Sequence, residues 1–120
     1  SGIAVGISIV VSDSVRFKVS GAINDAAGKP QPFDFWLTCR RLKDTADVQQ
    51  HLDGLRSSDS KTPLTDAMVD LLRDWSGVTD EAGQSMPFSP DSARQLLNMP
   101  GLASLAHATY LREVGAKEKN

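Results

Sequence analysis

The sequence predicts an α+β domain: an antiparallel β meander of about three strands, followed by about four helices. Three observations carry this reading. In the first third of the chain large apolar residues alternate with smaller or polar ones, the two-residue period of a strand with one buried face. From Asp44 onward apolar residues recur every three or four positions, the spacing of one helical face. All the strand-like segments precede all the helix-like ones, an order that belongs to α+β and not to alternating α/β architecture.

Ile3, Val5, Ile7, Ile9 and Val11 put their bulk on one side of a first strand, expected to pair inside the sheet, with Ser12 and Asp13 turning the chain. Val15, Phe17 and Val19 alternate with Arg16, Lys18 and Ser20, a second strand with one wet face. Residues 24–32 bring together Asn, Asp, Gly, Lys and two prolines, which is loop chemistry. Phe33, Phe35, Leu37 and Cys39 alternate with Asp34, Trp36, Thr38 and Arg40 as a third strand.

A first helix begins near Asp44 and turns Val48, Leu52 and Leu55 to one side. After a polar link at residues 57–61, Thr62-Pro63 reads as an N-cap with proline in the first helical position. Leu64, Met68, Leu71, Leu72 and Trp75 then continue one stripe, and Gly77 is placed to end that helix. Ser89-Pro90 repeats the cap and opens a helix carrying Ala93, Leu96 and Leu97, which Asn98 and Pro100 stop. A last helix runs from about Gly101 to Gly115 with Leu102, Leu105, Ala106, Thr109 and Tyr110. One domain is expected over residues 1–115, with a charged flexible tail at 116–120.

Composition narrows the function. A net charge of -2 and a pI near 5.6 argue against a nucleic-acid partner. The apolar stretch at residues 3–11 is half the length of a membrane span, so no membrane partner is expected. Catalysis would have to use Cys39 with His51 or His107, but Cys39 falls on the apolar side of a strand, where an inert thiol is the default. One cysteine and two histidines distant in sequence are too few for a zinc site, and the acidic turn at residues 79–83 does not continue into a calcium loop. No glycine-rich turn forms a phosphate cradle. The expectation is a non-enzymatic protein with no catalytic residue, metal or cofactor, acting by binding other proteins.

Trp36 lies on the polar side of its strand, where an aromatic ring suits either an interface or packing under a following helix. Trp75-Ser76-Gly77-Val78, Asp80-Glu81-Ala82-Gly83 and Met86-Pro87-Phe88-Ser89-Pro90, followed by a helix through Leu96-Leu97 and a last helix containing Tyr110, form a recognisable order. It resembles the tail assembly chaperones of lambda-like long-tailed bacteriophages, in which a helix ends in tryptophan, an acidic glycine turn follows, and a Pro-Phe-Ser or Pro-Phe-Thr step caps the next helix. The hairpin around Phe33-Asp34-Phe35-Trp36-Leu37 is similar to the β-rich start of those proteins. The resemblance covers about two thirds of the chain. It implies a helper in the host bacterial cytoplasm that binds the tape measure protein, keeps it soluble and recruits tail tube protein, then is absent from the virion. It also implies a longer frameshifted form, which a slippery codon run under Glu118-Lys119-Asn120 would permit. Trp36, Trp75, Phe88 and Tyr110 are the candidate protein-binding residues, and the sequence is compatible with a homo-oligomer, with exchange of the N-terminal strand between subunits left open. The alternative is a structural component, a head–tail connector or minor tail protein.

Overall fold

The computed structural model describes residues 6–118. Its elements are β1 (Ser14–Asn24), β2 (Pro30–Arg40), α1 (Thr45–Ser57), α2 (Pro63–Leu71), β3 (Leu72–Ser76), α3 (Pro90–Leu97) and α4 (Leu102–Val114). The three strands form one antiparallel sheet in the order β1-β2-β3, confirming the α+β class.

Alternation explains the hairpin. Phe17 stands opposite Leu37, Val15 opposite Cys39 and Val19 opposite Phe35, so six buried side chains fall on one face. Arg16, Lys18, Trp36 and Thr38 fall on the other. α4 packs across the buried face of β1 through Ala106 and Tyr110, and α2 and α3 close the layer with Met68, Leu71, Ala93 and Leu97. The Tyr110 hydroxyl donates to the Arg40 carbonyl and accepts from the Leu42 amide at 3.1 Å, which fixes α4 where β2 leaves the sheet.

The described part of the first expected strand, residues 6–11, is not part of this sheet. Residues 3–5 lie outside the described region, and residues 6–11 belong to no element, with Ile7 95% and Ile9 99% exposed. The chain does not reverse at Ser12 and Asp13. The Asp13 carbonyl accepts from the Arg41 amide at 2.8 Å and its carboxylate pairs with Lys43, which continues the β1–β2 pairing outward by one step.

The third strand comes instead from the stripe read as the end of a helix. α2 stops at Leu71 because Leu72 turns to extended backbone, and Leu72–Ser76 pairs with β2. Thr38 lies opposite Asp74 and Cys39 opposite Leu72, leaving Arg73 as the extra residue of a bulge. The bulge puts Leu72 and Trp75, three apart, on the same buried face, and three is also a helical spacing. Gly77, with φ 84°, therefore ends a strand and not a helix.

The caps vary in how they work. Asp44 accepts from the Asp47 amide at 2.8 Å, and Ser89 and Ser92 form a reciprocal capping box. Thr62 occupies the N-cap position without a side-chain cap bond; its hydroxyl donates to Asp66 instead. Two turns share one construction. In Asp25-Ala26-Ala27-Gly28-Lys29 and Asp80-Glu81-Ala82-Gly83-Gln84, the aspartate carboxylate accepts from the second and fourth following amides. In both, the glycine adopts the left-handed backbone, φ 79° and 78°, that a side chain would strain.

Tyr110→Phe should leave the Leu42 amide and the Arg40 carbonyl without their buried partner. Such a loss costs about 1–3 kcal/mol. The expected result is a lower urea midpoint at unchanged slope.

Candidate protein-binding surface

The four aromatic candidates occupy different places. Tyr110 is fully buried, with its hydroxyl committed to the end of β2. Trp75 is 9% exposed, and its indole N–H donates to the Met86 carbonyl at 2.8 Å. Phe88 is half-buried and meets the Trp75 ring edge-on, with centroids 5.4 Å apart. These two rings clamp the loop between β3 and α3. Trp36 is half-buried on the face of the sheet opposite the core; the Arg16 guanidinium sits 4.1 Å from its ring centroid and Lys18 5.9 Å away. That contact is a cation–π stack across the β1–β2 register.

Two further sites draw on residues far apart in sequence. The first is a pair of imidazoles. His51 on α1 and His107 on α4 meet with their Nε2 atoms 2.9 Å apart, so one donates and the other accepts. Burial pushes both pKa values down from 6.5, helped by Arg40 for His51 and by His51 for His107. The neutral pair makes one hydrogen bond between α1 and α4, and protonation of both rings would set two charges against each other. Beside it a cleft of about 470 Å³ between α1 and α2 carries Asp47, Asp66 and Asp70. The Ser60 hydroxyl, first, and the Arg94 guanidinium hold the Asp66 carboxyl below the usual carboxylate range. Among the described residues no group of three or more metal-ligating side chains occurs. Cys39 is fully buried, and burial pushes its thiol up to about 12, leaving it protonated at neutral pH.

The second site is an apolar groove of about 310 Å³ between the hairpin and the helical layer. Ile23 from β1 and Pro32, Phe33 and Phe35 from β2 form one side. Val78 and Thr79, just past β3, and Leu96, Met99 and Leu102 from α3, the α3–α4 link and α4 complete the lining. Phe33 and Phe35 stack with centroids 5.9 Å apart. Phe33 lies against the backbone of β1 because Gly21 stands opposite; a Cβ there would come within 2.7 Å of the ring. Ile23 and Met99 at the rim are 44% and 41% exposed. Sequence reasoning missed this groove, since its residues come from both strands of the hairpin, the stretch past β3 and the α3–α4 region, which no local pattern connects.

A protein-family model described as YdaY prophage protein matches residues 38–108, more than half of the chain. The chain belongs to the YdaY prophage protein family. It is thus of bacteriophage origin. The YdaY span begins within β2 and ends within α4, so it contains the Val78, Leu96, Met99 and Leu102 side of the groove, the bulged strand and both histidines. No curated protein and no solved structure matches the chain. Among the described residues no helix is long and apolar enough to cross a membrane.

The imidazole pair has a signed consequence. Both folded-state pKa values lie below the unfolded value, so below about pH 6.5 the unfolded chain binds more protons and stability falls with pH. The melting temperature of the protein should therefore drop between pH 7 and pH 5. In His51→Gln, which retains a hydrogen-bonding group at that position, the drop should be smaller; an equal drop in both would show that the pair does not govern this window.

Proposed function

We propose that this protein is a phage tail assembly chaperone that holds an apolar segment of the tape measure protein in the groove between its hairpin and α3–α4. The observation that carries the reading is a coincidence of position. The residues that resemble those chaperones, Trp75-Ser76-Gly77-Val78, run directly into the lining of the groove, at Gly77 and Val78. The groove is apolar, open at its rim, and presents Ile23 and Met99 to solvent. That is the surface on which an amphipathic helix lays its apolar stripe.

The prophage family supports the phage setting. The chemistry of the chain is in keeping with binding and not catalysis: its buried thiol is held protonated, and its imidazoles are spent on one another. On this reading the protein acts in the host bacterial cytoplasm, needs no cofactor, and covers its client by many weak contacts along one long chain. Recruitment of tail tube protein falls to a longer frameshifted form. The Arg16–Trp36 stack lies on the opposite face of the sheet from the groove, which leaves it available for a second protein contact.

Co-expression with the tape measure protein of the same phage tests the proposal. The client should become soluble and co-purify with this chain, while Ile23→Asp combined with Met99→Asp should abolish both effects with the circular dichroism spectrum unchanged. A client that stays insoluble with both the short and the frameshifted forms, together with this protein appearing in the mass spectrum of purified virions, would replace the chaperone with a head–tail connector or minor tail protein.

A further inference from the structure

Both histidines of the sequence, 56 residues apart, meet at one point of the fold. We propose that His51 and His107 form a site for a divalent transition-metal ion (zinc, nickel or copper) that clamps α1 onto α4. The proposal is independent of the groove and of the chaperone reading.

The separation of the rings suits two ligands of one ion. The Nε2 atoms stand 2.9 Å apart and the ring centroids 5.1 Å apart. Two imidazoles on one tetrahedral ion, with metal–nitrogen bonds of about 2.0–2.1 Å, hold their nitrogens about 3.3 Å and their centroids about 5.2 Å apart. The centroids are thus already at the coordinating distance, and a tilt that parts the nitrogens by about 0.4 Å admits the ion. In the hydrogen-bonded pair one Nε2 carries a proton and the other a lone pair. When the ion enters, the donating ring takes its other neutral tautomer, its proton passing to Nδ1 through solvent. Both Nε2 lone pairs then face the metal, and no net proton is released.

The surroundings allow entry. His51 lines the cleft of about 470 Å³ between α1 and α2, so the pair is open to an ion and to water from that side. Asp47, Asp66 and Asp70 on the cleft walls draw cations toward it, opposed by Arg40. Among the described residues no third metal-ligating side chain joins the pair, so the ion keeps exchangeable positions for water. Imidazole nitrogen selects zinc, nickel and copper over magnesium and calcium, which favour oxygen.

The clamp acts on a weakly held element. No residue of α1 is fully buried, and Val48 is the α1 side chain packed against the core cluster. One hydrogen bond joins His51 to His107, and two metal–nitrogen bonds would replace it. An ion that binds this folded pair and not the unfolded chain stabilises the fold by mass action.

Calorimetric titration of the full chain, free of any histidine tag, with zinc chloride near neutral pH tests the site. One equivalent should bind. With free zinc about tenfold above its dissociation constant, the melting temperature should rise by roughly 4–8 °C. Hydrogen exchange of the α1 amides should slow on zinc addition, and copper(II) should show two nitrogen ligands by electron paramagnetic resonance. His51→Gln should lose all four effects with an unchanged circular dichroism spectrum, and His107→Gln should do the same. Should His107→Gln fail to fold, His51→Gln decides alone, because its side chain is only half-buried. Absence of stoichiometric zinc binding, or binding that persists in His51→Gln, would overturn the proposal. So would an equal rise in melting temperature with magnesium, which would assign the ion to the cleft carboxylates. Binding at the histidines that leaves α1 exchange unchanged would overturn the clamp.

Discussion

The Tyr110 hydroxyl is the contact on which the two-layer arrangement turns. It is buried beneath the last residues of β2, giving its proton to the Arg40 carbonyl and taking the Leu42 amide. At that point the chain leaves the sheet for α1 and two backbone groups lose their ladder partners; without a third party both would be buried unpaired. By supplying both bonds, α4 is fixed in height and rotation against the hairpin. The Phe17 ring, 5.9 Å from that of Tyr110, and Ala106 then fall into place, and the α3–α4 link comes to rest opposite Phe33. The groove is a consequence of that docking.

Local patterns in the sequence were good guides wherever the structure is local. The alternation in β1 and β2 reports true one-faced burial, the three-and-four spacing after Asp44 marks α1, and the Ser89 cap announces α3. Two misreadings have physical reasons. The stripe through Leu71, Leu72 and Trp75 has helical spacing because a bulge at Arg73 adds a residue to a strand; the polar Arg73-Asp74 pair inside the stripe was the sign of it. The alternation at residues 3–11 is equally regular, yet residues 6–11 lie outside the sheet. Alternation shows that a segment could bury one face, and says nothing of what would cover it.

The candidate site was much less legible. Trp75 and Phe88 stood out as aromatic residues in a motif, and they turn out to brace the loop from β3 to α3. The groove and the imidazole pair are made by tertiary contact, with 56 residues separating His51 from His107, so no window along the chain contains them. The motif itself leads into the lining of the groove at Gly77 and Val78.

The strand order has a consequence for the growing chain. β1 and β2 are joined by a short turn and can pair as soon as both have emerged, but β3 follows two helices, and its last residue is Ser76 against Arg40 for β2. Translation at about 5–20 residues per second leaves roughly 2–7 s between those points. During that interval the β2 edge beside Leu37 and Cys39 is an open template at the ribosome. The nascent hairpin is itself a sticky species until its third strand arrives, and the slowest-arriving piece of the sheet is only five residues long.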